Sequence, residues 1–284
     1  FGMTFKLRPL SNALGAEIID LDLSTTLDDE TFAIVHRAHL EHLVLVFRDQ
    51  VLSPECQITF SRRFGPIDFP PADDATLPGH PEILLVSTKK QDDRYIGLPD
   101  AGPMWHSDIS YKKETSLGSM LYAIEIPDRG GATGFANMYK AYETLPAHLK
   151  DAVEGRRGAF LAGRNNDKHN FKIRLTDGQR AATPPILHPI VRIHPETGRK
   201  SIFANPQHTI SIEGYDEVEA KNILAEIFEH CFQPKFTYHH EWRVGDLTFW
   251  DNRCVAHIAD HSHLDDPTYI RHLHRTSIKG NVPY

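Results

Sequence analysis

Gly245-Asp246-Leu247-Thr248-Phe249-Trp250-Asp251-Asn252-Arg253-Cys254-Val255-Ala256-His257-Ile258-Ala259 (residues 245–259) reads as strand, turn and return strand. Asp246–Trp250 and Val255–Ala259 are rich in apolar and aromatic residues, and Asp251-Asn252 supplies turn chemistry between them. His257 is the only histidine on the return strand. Working outward, Tyr269–Ile278 and Phe236–His240 predict further strands. Leu187–His194 and Lys200–Asn205 flank Pro195-Glu196-Thr197-Gly198, a hairpin signal. Asp216–Phe232 is the clearest amphipathic helix, with Val218, Ile223, Leu224, Ile227 and Phe228 as its apolar members. Toward the N-terminus, residues 4–24 read as short extended pieces, 28–42 as a helix with an acidic start, and Leu43–Phe47 as a buried strand. Ser53-Pro54-Glu55 opens a helix that stops at Gly65-Pro66. Leu117–Ile126 is strand-like and Thr144–Gly155 helical. Many strands, few helices and no repeat predict one α+β, mainly β, domain built on a sandwich or barrel over residues 3–284. Residues 66–104, irregular apart from a strand at Ile83–Ser87, and 156–186 are two candidate lids.

The chain has 284 residues, 40% of them hydrophobic, which is enough for a sizeable core. Its net charge of −7, without a basic cluster, argues against a nucleic-acid partner. No apolar run is long enough to span a bilayer. Cys56, Cys231 and Cys254 form neither a disulfide framework nor a Cys-x-x-Cys clip, which fits a reducing compartment. Phe1-Gly2 reads as a remnant ahead of Met3, the expected natural start, and no signal-peptide pattern follows; a cytoplasmic protein is expected.

Histidines number 18, more than a core needs. His36, His39 and His42 on a charged helix, and His261 and His263 on a polar loop, are read as solvated. Trp105-His106-Ser107-Asp108 is different. In extended backbone, residues two apart point to the same side, so His106 and Asp108 can present an imidazole nitrogen and a carboxylate oxygen to one metal. The bland reading is a loop histidine bonded to its neighbour. His257, brought in by the fold, would complete two histidines and one carboxylate with the opposite positions open, the non-haem iron(II) facial triad. The lack of a neighbouring cysteine argues against structural zinc. In Tyr269–Thr276, Arg271, Leu273 and Arg275 share a strand face. Two arginines in an apolar strand are costly unless each meets an anion, and their planar forks match carboxylates; the alternative is surface ion pairs on an edge strand. Gly130-Gly131-Ala132-Thr133-Gly134 is a turn that could bring the Thr133 hydroxyl to a bound carboxylate. Lys168, Lys172 and Arg174 read first as a solvated loop and second as a guide for an anionic substrate. No nucleophile elbow, phosphate loop, dinucleotide fingerprint or His-Glu-x-x-His motif is present.

These residues resemble the taurine dioxygenase / 2,4-dichlorophenoxyacetate dioxygenase family of iron(II)- and 2-oxoglutarate-dependent oxygenases. The similarity runs from about Phe5 to Gly280. It is carried in family order by FSRRFGP (60–66), MWHSDISY (104–111), GGATGFANM (130–138), HPIVRIHPETGRKSIFAN (188–205), WRVGDLTFWDNRCVAHIA (242–259) and RHLHRTSIKG (271–280). The resemblance implies a double-stranded β-helix, or jelly roll, flanked by helices. It implies Fe(II) on His106, Asp108 and His257, with dioxygen and 2-oxoglutarate as cosubstrates. The outer carboxylate of 2-oxoglutarate would lie on Arg271 and Thr133, and Arg275 near the chelating end and the primary substrate. Ile109 and His208 are further substrate-side candidates. The implied reaction couples decarboxylation of 2-oxoglutarate to hydroxylation of a small, anionic organic substrate, with cleavage where the hydroxylated carbon bears a heteroatom. A small insertion around Leu264–Pro267 lengthens the His257–Arg271 spacing. The taurine enzyme's substrate pattern is not kept: Pro70, Asp73, Gly102 and His208 stand at its positions, so taurine is not the expected substrate. A homodimer or homotetramer is expected, with no nucleic-acid or membrane partner. One rival reading is a binding protein without turnover, opposed by the three intact ligand positions; the other is a jelly-roll metal-dependent hydrolase or isomerase using the same three ligands. It gives no reason for Arg271, Arg275 and Thr133 to gather around a second bound dicarboxylate.

Overall fold

The computed structural model describes residues 5–70, 75–162, 178, 181 and 183–284. Its strands, in chain order, are β1 (Lys6–Pro9), β2 (Ala16–Ile19), β3 (Val44–Phe47), β4 (Thr76–Leu77), β5 (His80–Ser87), β6 (Lys90–Gln91), β7 (Arg94–Tyr95), β8 (Ser116–Glu125), β9 (Thr133–Asn137), β10 (Arg157–Phe160), β11 (Ile186–Pro189), β12 (Val191–Ile193), β13 (Lys200–Ile202), β14 (Thr237–His240), β15 (Leu247–Asp251), β16 (Val255–Ala259) and β17 (His272–Lys279). The helices are α1 (Asp29–His42), α2 (Pro54–Arg62), α3 (Met138–Glu143), α4 (Ala147–Val153) and α5 (Glu217–Cys231). Their ends follow local chemistry. Asp28 accepts from the Thr31 amide at the start of α1, Ser53 from the Cys56 amide ahead of Pro54 in α2, and Asp216 and Glu219 form a reciprocal capping box on α5.

The strands form a large sheet, ordered β1-β2-β3-β15-β8-β17-β5-β4, a small one, ordered β14-β9-β16, and the two-stranded pairs β6-β7, β10-β11 and β12-β13. The molecule is thus mixed α and β, mainly β. Alternation along β15 sorts its side chains to two faces. Leu247 and Phe249 join Val35 and Ala38 of α1 and Phe60 of α2 on the helix-covered face. Trp250 joins Leu121, Leu273 and Val44 of the large sheet with Phe135 and Val255 of the small one. That second cluster lies between the two sheets and holds them face to face. A third core packs α3, α4 and α5 together through Met138, Leu149, Leu224 and Ile227.

Several expectations shift. The predicted strand 187–194 is broken at Ile190 into β11 and β12, and Tyr269–Ile278 begins as strand only at His272. Thr144–Gly155 is α4 preceded by the short α3. Residues 66–104 are not irregular throughout, because β4 and β5 extend the large sheet and β6 and β7 form a hairpin. Part of 156–186, with Lys168, Lys172 and Arg174, lies outside the described residues, as does Asp73. Val218 is 68% exposed and not part of the apolar face of α5. His39 is not solvated. It is fully buried and stacked on Phe249 at 3.8 Å, because α1 turns its His39 side onto β15. Among the described residues no helix is long and apolar enough to cross a membrane.

Candidate active site

The strand, turn and second strand read at 245–259 place the site, but the second strand does not pair back on the first: β15 stays in the large sheet and β16 crosses to the small one. His257 lies on β16, the edge of the small sheet, and His106 pairs with it as one isolated antiparallel rung. The amide of His106 donates to the His257 carbonyl at 3.0 Å, and the amide of His257 to the His106 carbonyl at 2.8 Å. The two rings therefore sit side by side, 4.1 Å between centroids. Asp108, two residues on, faces the same space. Its Oδ1 is 3.5 Å from His106 Nε2 and 3.7 Å from His257 Nε2. One ion with bonds of about 2.0–2.2 Å reaches donors that close. All three residues are buried.

The hydrogen bonds show that the donor set fits a cation. The Met104 carbonyl lies 2.8 Å from His106 Nδ1 and can only accept, so Nδ1 carries a proton and Nε2 is the nitrogen turned to the site. Nε2 faces Asp108 Oδ1, and the two atoms stand where one cation can take both as ligands. Burial alone would raise the Asp108 carboxyl, but Arg275, His257 and His106 hold it well below the usual carboxylate range. Burial, reinforced by His106, keeps His257 well below the ordinary imidazole value. A carboxylate beside a neutral His257 is the protonation state in which these two groups ligate. Two nitrogens and one oxygen without thiolate suit iron(II).

A second layer fixes the carboxylate. Ser119 of β8 donates to Asp108 Oδ2 at 2.7 Å. Asn252 accepts from the Asp108 amide at 3.2 Å and from Trp250 Nε1 at 2.9 Å, and donates to Ser116 and Ser119 at 3.1 and 3.0 Å. In the sequence Asn252 is simply a turn residue and Ser119 a strand residue. Only strand order, with β8 beside β15, brings them under Asp108.

Arg271 and Thr133 also meet. The Arg271 Nε donates to the Gly131 carbonyl at 3.1 Å, and its Nη2 lies 3.4 Å from Thr133 Oγ1. Trp242 Nε1 donates to the same hydroxyl at 3.0 Å. Thr133 Oγ1 thus receives two N–H donors, which leaves its own proton to give. Burial lowers Arg271 to about 10, and among the described residues no carboxylate pairs with its guanidinium. A buried cation beside a spare hydroxyl donor is a receptor for an anion. Trp242, which shapes it, carried no signal beyond its place in the 242–259 motif.

Arg275 reaches Asp108 Oδ1 at 3.2 Å. His208 is buried, with its ring 6.2 Å from that of His106 and 5.0 Å from that of Tyr111. Ile109 holds φ +58°, a left-handed conformation costly for a β-branched side chain and often found at functional sites. Gly102 holds φ +74°, and a Cβ there would stand 2.6 Å from the His106 ring. One cavity is lined by His106, His257, Thr133, Arg271 and Arg275, with Val86, Leu121 and Trp250 as apolar wall.

His194, Asp251 and Cys254 form the other buried trio of potential ligands among the described residues. Its hydrogen bonds argue against a metal. His194 Nδ1 accepts from the Glu196 and Thr197 amides at 3.2 Å each, so Nε2 bears the proton and donates to Asp251 at 3.1 Å. Arg253 saturates the same carboxylate at 2.8 and 2.7 Å. This is a structural ion-pair network.

The model of the taurine catabolism dioxygenase TauD, TfdA family matches residues 6–277. The chain belongs to that family. It is 36% identical over 268 residues to an alpha-ketoglutarate-dependent 2,4-dichlorophenoxyacetate dioxygenase of Cupriavidus pinatubonensis, covering 90% of this chain and 92% of the relative. It is 35% identical over 260 residues to an (S)-phenoxypropionate/alpha-ketoglutarate-dioxygenase of Sphingobium herbicidovorans, covering 90% and 89%. The solved structure of AAD-2 in complex with Mn(II) and N-oxalylglycine superimposes with a TM-score of 0.83 at 27% identity, over 99% of this chain and 98% of that one. This TauD/TfdA-family protein is therefore an oxidoreductase of the 2-oxoglutarate-dependent dioxygenase class, using Fe(II), 2-oxoglutarate and dioxygen on a small organic substrate.

Proposed function

We propose that this dioxygenase hydroxylates a small carboxylate-bearing organic substrate of the aryloxyalkanoate type on a double-stranded β-helix scaffold. The observation that carries the reading is a cavity whose lining includes His106 and His257 of the cluster together with Arg271. His106, Asp108 and His257 hold Fe(II). Arg271 and Thr133 receive the outer carboxylate of 2-oxoglutarate and so fix how its 2-oxo acid end is presented. Bound together, the metal and cosubstrate supply an oxidant able to break a C–H bond, with dioxygen divided between substrate hydroxyl and succinate and with carbon dioxide released. The chain's own part is placement and shielding. Val86, Leu121 and Trp250 keep water from the cavity wall, and Ser119 and Asn252 prevent Asp108 from rotating. Arg275, Ile109 and His208 face the substrate side, where Arg275 supplies positive charge for a carboxylate. The two phenoxyalkanoate dioxygenases among the relatives support this substrate class. Hydroxylation at the carbon bearing the ether oxygen leaves a hemiacetal, which breaks its C–O bond to release a phenol.

The test is an aerobic screen of Fe(II)-loaded protein with 2-oxoglutarate against phenoxyacetates, phenoxypropionates, alkyl sulfates and sulfonates, following succinate and oxygen together. Substrate-stimulated succinate with matching oxygen uptake is expected from a phenoxyalkanoate, and its loss in His257→Ala. Phenol release without oxygen uptake would instead mark a hydrolase. Stimulation by sulfonates or sulfate esters alone would overturn the substrate class and keep the reaction.

A further inference from the structure

Tyr269 opens the stretch Tyr269–Thr276, two residues before Arg271, and has no role in the reading of the site above. It is 6% exposed, and its hydroxyl has no hydrogen-bond partner among the described residues. A buried hydroxyl left unpaired costs free energy, so an orphan of this kind marks either strain or a missing ligand. Its position favours a ligand. The point where a Cβ on Gly131 would stand lies 2.6 Å from the Tyr269 hydroxyl and 3.4 Å from Arg271 Nε. Gly131, at φ +78° and without a side chain, is what lets the phenol and the guanidinium converge on the same turn. The carbonyl of Gly131 is taken by Arg271 and its amide by Asp260, at 3.1 and 3.2 Å.

We propose that the Tyr269 hydroxyl donates to the outer carboxylate of bound 2-oxoglutarate, as a third donor beside Arg271 and Thr133. The proposal rests on the reading that this cradle receives 2-oxoglutarate. Three groups then have hydrogens without an acceptor among the described residues: the Arg271 N–H groups not bonded to Gly131 and Thr133, the Thr133 hydroxyl and the Tyr269 hydroxyl. A dicarboxylic 2-oxo acid meets that demand, whereas a monocarboxylic one has no group to place there. Burial raises the Tyr269 hydroxyl above its ordinary value, so it remains a donor at neutral pH.

The experiment is anaerobic calorimetry on the full-length, Mn(II)-loaded protein, with 2-oxoglutarate and with pyruvate, which has the same chelating end but no outer carboxylate. Tyr269→Phe should bind 2-oxoglutarate about ten- to a hundredfold more weakly, the range for a hydrogen bond to a charged group, and pyruvate unchanged. The metal-free variant should melt at the parent's temperature or slightly above, because an unpaired hydroxyl has been removed. An unchanged 2-oxoglutarate affinity, while Arg271→Ala loses at least a hundredfold, overturns the role of Tyr269 and leaves the cradle standing. Unchanged affinity in both variants overturns the cradle itself. Equal weakening toward both ligands would make Tyr269 a structural residue and also defeats the proposal.

Discussion

Removing the Ser119 hydroxyl isolates what the second layer does for the metal. Ser119 is fully buried, donates to Asp108 Oδ2 at 2.7 Å and accepts from Asn252 at 3.0 Å. Ser119→Ala deletes one hydrogen bond to a carboxylate, about 1.5–3 kcal/mol. Asn252 keeps Ser116 as a partner, so the fold loses little else. The freed Oδ2 lets the carboxylate turn away from the two Nε2 atoms, toward Arg275. At about 1.4 kcal/mol per factor of ten, the loss is about ten- to a hundredfold in metal affinity, which matches what outer-layer substitutions cost at metal sites. The assay is Mn(II) titration against a competing chelator. Ser116→Ala is the control, because Ser116 bonds Asn252 and the Ile278 carbonyl but not Asp108. The control should shift by less than about threefold, a neutral hydrogen bond one step removed. Parent-like Mn(II) affinity in a folded Ser119→Ala protein, or equal losses in the two variants, would refute the reasoning.

Two further outcomes follow from particular side chains. Burial, aided by Arg253 and His36 and opposed by Asp251, lowers His39 to about 3, against 6.5 for the free side chain. The unfolded chain therefore binds one more proton between those values, and His39 makes the fold less stable as pH falls from 6.5 toward 3, by about 1.4 kcal/mol per unit. His39→Phe keeps a ring on Phe249 and removes that titration, so urea melts from pH 7 to 4 should show a shallower acid loss than the parent; parallel curves would sink the assignment. Gly102→Ala forces a left-handed φ of +74° on an L side chain, at about 1–2 kcal/mol, and drives a methyl into the His106 ring 2.6 Å away. Both melting temperature and Mn(II) affinity should fall, and a variant that binds Mn(II) like the parent would mean the ring has room to yield.

The legible part of this protein was local. His106 and Asp108, two residues apart, face one space although Asp108 already lies in a turn, and the turn at 252–254 leads from β15 into β16, which carries His257. The helix caps were readable for the same reason, because their chemistry is written in neighbouring residues, whereas the meeting of Arg271 with Thr133 was expected only from the family resemblance. His39 was misread because a charged helix surface and a buried helix face look alike until the packing partner, here Phe249, is known. Ser119, Trp242, Tyr269 and Gly102 acquire their importance from residues far away in the chain, through the order β15-β8-β17 and the turn at Gly131. The sequence by itself determined which side chains could ligate, accept or pair. Only the tertiary structure decided that the two Nε2 atoms and Asp108 Oδ1 converge, and which buried donors were left without an acceptor. Convergence and burial depend on strand order and sheet-on-sheet packing, long-range terms that no local pattern encodes.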